Sequence, residues 1–412
     1  MKKIIKKIKK SKLNILAVII IIPGAFFLLN SLEFDNEIYI DNKIDDITED
    51  IKQIANIKSP QVEALDTKEY DARLLDLAHY IFPTSAPDTT TNTTESESNV
   101  ITNALTDQIR SGTFDSATSD ANQRDLPVYS KDTNVKVPGE LWPPAAPYPN
   151  SGAILPFKRI LAYYGNFYST KMGILGEYEP DEVLRRLEIE KQNWEKADPE
   201  TPVQLAIEYI AMVAQASAGT DGMYRAMMPD EEIEKAYELA QKADAILILD
   251  LQIGLSTIER ELPKFDKYME RPDAHIALDP EFSMKSGDKP GDVIGTFSAK
   301  DINYTINHLS DIVKENNLPP KVLLVHRFTQ KMVTEYDQIK PTPEVQVVMV
   351  MDGWGSVGLK QGTYRQVIEP EPVQFAGIKI FYKNDLKPPS TGLMTPSEVL
   401  LLNPKPIYIQ YQ

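Results

Sequence analysis

Between residue 159 and the C-terminus, eight short apolar runs recur, many of them β-branched. They are RILAYYGN (159–166), VQLAIEYIAMVAQ (203–215), AILILDLQ (245–252), AHIALDPE (274–281), KVLLVHRF (321–328), VQVVMVMDG (345–353), AGIKIFYKN (376–384) and PIYIQYQ (406–412). Continuous apolar runs, rather than strict alternation, predict strands covered on both faces. The intervening segments open like helices. Pro180-Asp181-Glu182, Pro229-Asp230-Glu231 and Thr395-Pro396-Ser397-Glu398 put proline and acids in a first turn; Ser256-x-x-Glu259 fits a capping box and Ser298-x-x-Asp301 resembles one. Strands alternating with helices build a parallel sheet, and eight units in about 260 residues predict an α/β fold, a (β/α)8 TIM-like barrel over 153–412. A doubly wound open sheet is the alternative; it would not need the last strand to close on the first. With no helix after the eighth run, the amphipathic stretch near 67–82 is expected to cover the gap.

Upstream the pattern changes. Residues 1–12 carry seven lysines, and 13–32 is an almost wholly apolar stretch of twenty residues, enough for a helix to span a bilayer. No A-x-A site follows it, so the expectation is an uncleaved single-pass transmembrane signal-anchor with the basic tail cytoplasmic and the barrel extracytoplasmic; cleavage near Leu29-Asn30-Ser31 is the alternative. Residues 33–82 hold two short amphipathic helices, at 43–57 and 67–82. Residues 83–152, rich in Ser, Thr and Pro, read as a disordered linker whose last part, with Trp142 and Tyr148, straps the following domain. Setting the seven tail lysines aside leaves 37 basic against 60 acidic residues, about −23, which opposes binding to nucleic acid. The absence of cysteine excludes disulfides and a lipidated N-terminal Cys.

In barrels of this kind chemistry sits at the C-terminal strand ends. Those ends present Tyr164 and Asn166, Asp250 and Gln252, Asp279 and Glu281, His326 and Arg327, Asp352, Tyr382 and Lys383, and Gln410 with Gln412. So many polar groups at one rim cost several kcal/mol each unless paired or held for a ligand. Plainer readings exist for most of them: Asp250 and Asp352 as acceptors for loop amides, Arg327 and Lys383 as counter-ions, His326 as a hydrogen-bonded core histidine. The pair Asp279 and Glu281, two residues apart on one strand end, is harder to read that way. On an extended segment both face one side, and their repulsion raises the pKa of one, as a general acid requires.

Strand four's Asp279-x-Glu281 resembles the glycan-hydrolysing barrels, both the chitinase-like glycosidases and the lysozyme-like muramidases. In these the Glu protonates the glycosidic oxygen and the Asp supports it. Strand six, Met349-Val350-Met351-Asp352, is similar to the Met-x-Tyr-Asp of the chitinase-like group. Ala274 and Ala277 stand where that group's longer strand-four motif has acids, and Met351 where it has tyrosine, so the resemblance does not imply substrate-assisted chemistry. The segments MGILGEY, DPEFSMK and LVHRFTQKMV resemble an uncharacterised family of bacterial exported barrel proteins, a likeness that implies fold without activity. The expectation is a glycoside-hydrolase-like protein acting on a cell-envelope or extracellular glycan. Glu281 is its acid/base, Asp279 the electrostatic partner and Asp352 or Asp250 the second carboxylate, with Tyr164, Asn166, Gln252, His326, Arg327, Tyr382, Lys383 and Gln410 on the sugar. A non-catalytic barrel that binds a glycan or envelope protein is the alternative, its acids neutralised by Arg327 and Lys383. No phosphate loop, dinucleotide fingerprint or G-x-S-x-G is present, so no cofactor is expected. With four histidines, one of them at the rim, no metal is expected either; carboxylates alone would suit calcium or magnesium.

Overall fold

The computed structural model describes residues 64–79 and 141–412. The expected anchor at 13–32, the helix at 43–57 and the linker up to residue 140 lie outside the described residues. Among the described residues no helix is long and apolar enough to cross a membrane.

Eight parallel strands close on themselves: β1 (Arg159–Gly165), β2 (Val203–Ala214), β3 (Ile246–Leu251), β4 (Ala274–Leu278), β5 (Lys321–Arg327), β6 (Val345–Met351), β7 (Phe375–Ile380) and β8 (Tyr408–Tyr411). Each pairs with its sequence neighbours, and β1 pairs with both β2 and β8, so the barrel alternative holds and the open sheet does not. Strand alternation divides the apolar residues into two sets. Leu161, Ile207, Leu249, Ile276, Leu323, Met349, Ile378 and Ile409 face outward to a shell that includes Val183, Leu187 and Trp194 of helix α2 (Pro180–Ala197) and Ile302 and Leu309 of helix α4 (Ala299–Asn316). Ile160, Ala162, Ala206, Ile248, Ala277, Leu324, Val350 and Tyr408 fill the interior. Helix α3 (Asp230–Lys242) lies between α2 and α4 in sequence, and helix α5 (Val357–Val367) follows β6. Ser298 and Asp301 form the capping box at the start of α4. Ser256 does not cap; its hydroxyl bonds to Glu261, and Thr257 precedes the short helix Ile258–Glu261.

Helix α1 (Thr67–Leu77) does not cover a gap in the wall. Its buried Tyr70 and Leu77 belong to the interior cluster with Leu155, Ile160, Val322 and Phe375, so it seals the N-terminal end of the barrel. Lys405 N–H donates to Leu77 O at 2.7 Å, tying the helix to the loop before β8. The wall beside β8 is closed instead by α2, whose Trp194 indole donates to the Tyr411 hydroxyl at 3.1 Å. Trp142 is buried and donates to Glu369 O at 2.8 Å, while Tyr148 bonds to Asp71 of α1.

Candidate active site

Near its C-terminal end, each strand carries by alternation a polar residue into the interior, two positions beyond an inward residue; His275 of β4 and Gln346 of β6 face inward nearer the other end. Ala162 leads to Tyr164, Ala206 to Glu208, Ile248 to Asp250, Ala277 to Asp279, Leu324 to His326, Val350 to Asp352, Gly377 to Lys379 and Tyr408 to Gln410. All eight are buried. Above them opens a cleft of about 650 Å³, lined by Tyr164, Gln252, Asp279, Glu281, Asp352 and Lys379 among the polar residues and by Phe282, Phe328, Trp354 and Phe381 among the aromatic ones.

The two acids of strand four do not share an extended segment. β4 ends at Leu278, Asp279 becomes the N-cap of a short turn over Pro280–Phe282, and its Oδ1 accepts the Glu281 amide at 3.2 Å. Asp279 points down into the barrel, where Gln252 Nε2 donates to its Oδ2 at 3.3 Å. Glu281 stands half-buried in the cleft wall. Burial, then the charges of Asp250 and Asp352, hold the Asp279 carboxyl well above the carboxylate range. Glu281 is pushed up to about 7, first by burial and then by the charge of Asp352. Asp279, the expected electrostatic partner of Glu281, points down into the barrel instead, and the carboxylate whose charge raises Glu281 is Asp352.

Beneath the cleft floor the groups are tightly linked. His326 Nε2 lies 3.0 Å from Glu208 Oε1, and its Nδ1 lies 3.7 Å from Asp352 Oδ2. Burial alone would lower the His326 pKa, but the hydrogen bond to Glu208 and the charges of Glu208, Asp352 and Asp250 outweigh it and raise it to about 9. Tyr408 donates to Glu208 Oε2, and Gly377 makes this possible: a Cβ there would lie 2.9 Å from the Tyr408 ring. Tyr164 donates to Asp250 Oδ2 at 2.8 Å, and burial pushes Asp250 up to about 7. Lys379 rests over the Tyr164 ring, 3.8 Å from its centroid. The loop that carries Trp354 is pinned from below: Lys360 donates to Gly353 O at 2.8 Å and Asp385 accepts the Gly355 amide at 2.8 Å.

Several expected sugar contacts lie elsewhere. Arg327 follows an inward residue, so it faces outward and pairs with Glu371. Tyr382 reaches Tyr163 and Glu190 behind the wall, and Lys383 is exposed and pairs with Glu177 at 2.7 Å. Asn166 holds its own loop, donating to Ile210 O and accepting from the Tyr168 amide. Asp250, fully buried and capped by Tyr164, does not line the cleft. Tyr164, Gln252, Asp279, Glu281 and Asp352 come together there, with His326 and Gln410 in the buried layer. Glu208 and Lys379 were missed, although each is the only charge inside an apolar run, VQLAIEYIAMVA and FAGIKI.

These features define a closed (β/α)8 barrel with a carboxylate-lined cleft at its C-terminal face. No family model and no curated protein matches the chain, so the resemblance to an uncharacterised exported family finds no counterpart there. Among solved structures it is similar to a GH5-4 broad-specificity endoglucanase from an uncultured bacterium, at 7% identity and a TM-score of 0.29, covering 54% of this chain and 76% of that one. It is also similar to GH26C from Muricauda sp., at 10% identity and a TM-score of 0.28, covering 53% of this chain and 73% of that one.

Proposed function

We propose that the barrel hydrolyses a cell-envelope or extracellular glycan by carboxylate acid/base catalysis. The observation that carries this reading is Glu281, half-buried in an aromatic-walled cleft with a pKa near 7 and the Asp352 carboxylate in the same wall. A group that holds a proton near neutrality can deliver it to a glycosidic oxygen. Asp352, flanked by cationic His326, is the second carboxylate, acting as nucleophile or as the base that activates water. Asp279, protonated, fixes the turn that presents Glu281. Phe282, Phe328 and the exposed Trp354 supply apolar faces for sugar rings. The binding-only alternative relied on Arg327 and Lys383 to neutralise these acids, and both are engaged elsewhere. On the same reading, residues 13–32 anchor the chain in the membrane with the barrel outside.

The test is a polysaccharide panel run on the native chain, then on Glu281→Gln. Loss of roughly 100-fold or more in turnover with binding retained is expected. Turnover that survives the substitution, or binding by the native chain with no turnover, overturns the assignment.

A further inference from the structure

Among the described residues, Glu208, Asp250, Asp279 and Asp352 inside the barrel and Glu281 above them lie near the cationic side chains of His326 and Lys379, with Lys360 also near Asp352. Lys379 makes no ion pair within 4 Å among the described residues; its amine rests on the Tyr164 ring. Three of these groups, Glu208, Asp250 and His326, each offer one ligand atom, and the three atoms lie within 4.8 Å of one another. All three residues are at most 1% exposed. Their remaining valences are occupied in a consistent way. Tyr408 donates to Glu208 Oε2 and Tyr164 to Asp250 Oδ2, leaving Glu208 Oε1 facing His326 and Asp250 Oδ1 without a partner.

Asp250 Oδ1 has no hydrogen-bond partner, and neither has the side-chain amide of Gln410, which is fully buried on an inward position of β8. Orphaned polar atoms at this depth cost about 1–3 kcal/mol each. On the other side of the imidazole, Nδ1 lies 3.7 Å from Asp352 Oδ2. This contact is longer than a hydrogen bond and Nδ1 has no partner among the described residues; a shift of about 1 Å would make Asp352 the carboxylate that fixes a metal-binding imidazole in orientation and tautomer.

We propose that Glu208, Asp250 and His326 form a divalent-cation site in the barrel interior, directly under the cleft, with Asp352 orienting His326. One imidazole among carboxylates suits Zn2+ or Mn2+ better than Ca2+ or Mg2+, which take all-oxygen shells. An ion with ligands at about 2.0–2.1 Å spaces them about 3.3 Å apart in a tetrahedron. The 3.0 Å separation of Glu208 and His326 is already near that, and Asp250, whose ligand atom lies within 4.8 Å of theirs, has to close by about 1.5 Å at most. The ion replaces the proton on His326 Nε2, and the Gln410 carbonyl or a water fills the fourth position. Tyr164 and Gln252, which line the cleft and neighbour Asp250, form the lid through which it enters. The sequence discounts a metal because one histidine reaches the rim; Glu208, inside the second strand rather than at its end, supplies the missing ligand. This site stands independently of the glycan reading, since its occupation needs no substrate.

The experiment uses the full-length chain, stripped with a chelator and titrated calorimetrically with ZnCl2 and with MnCl2. One equivalent should bind, and Glu208→Gln and His326→Gln should each weaken binding by well over 10-fold. Asp352→Asn, acting through the imidazole, should weaken it by roughly 10-fold. X-ray absorption on the zinc-loaded native chain guards against variants that fail to fold and should show a single imidazole among oxygen ligands. No stoichiometric binding of either ion, binding unchanged in folded Glu208→Gln and His326→Gln, or a shell without imidazole overturns the site.

Discussion

If Glu281 holds its proton to about pH 7, its ionisation works against the fold, and removing it should stabilise the protein. In an unfolded chain the same carboxyl titrates at 4.5, so between pH 4.5 and about 7 the folded state binds the proton and the unfolded state does not. Stability from this group is complete below 4.5 and is lost as pH rises to 7. The gap corresponds to about 3 kcal/mol. Glutamine keeps the shape without the charge, and the Glu281 carboxylate makes no hydrogen bond among the described residues that would be lost. Thermal melts of the metal-stripped chain and of Glu281→Gln should therefore nearly coincide at pH 4.5. At pH 8 the variant should melt higher by roughly 6–12 °C, at about 2–4 °C per kcal/mol for a domain of this size. Asp352 supplies part of the shift, so the difference should shrink when both chains also carry Asp352→Asn. A difference that does not change with pH, or a variant less stable at pH 8, refutes the assignment of Glu281 as a raised-pKa acid, whatever the substrate.

Two further outcomes concern the rest of the chain. A chain beginning at residue 141 lacks α1, and losing Tyr70 and Leu77 from the interior cluster should cost at least about 2–5 kcal/mol, read as a lower melting temperature; equal melting would show that the helix contributes nothing. In intact cells, an impermeant amine reagent should label the exposed barrel residue Lys331 and not Lys3, and the reverse pattern would overturn the proposed orientation.

The barrel was legible in the sequence because parallel strands buried on both faces leave long apolar runs, and eight of them stand in 260-odd residues. Its charged interior was only partly legible. The strand ends were read as positions where polar residues cluster, whereas the decisive variable is parity along each strand. His326 and Arg327 are neighbours in sequence and opposite in direction, so one enters the barrel and the other leaves it. The same rule applied to VQLAIEYIAMVA and FAGIKI would have placed Glu208 and Lys379 inside. The turn at Pro280 was misread because proline's bias toward an extended preceding residue, true of Asp279, says nothing about Glu281 beyond it. What raises the pKa of Glu281 depends on a neighbour seventy residues away in sequence, which spacing alone does not locate.

The position of α1 changes what the stretch between residues 79 and 141 accomplishes. Ala78 and Trp142 border the same small hollow beside Gln374 and Pro404, at the sealed end of the barrel. The chain therefore leaves the domain and returns to it at nearly one place. The intervening residues join two points of one folded body, and no part of their contour separates the cleft from whatever precedes residue 64. Closure of such an excursion costs free energy only as the logarithm of its length, about 0.6 kcal/mol per doubling. Its length and composition are thus free to drift in evolution without displacing the mouth of the barrel.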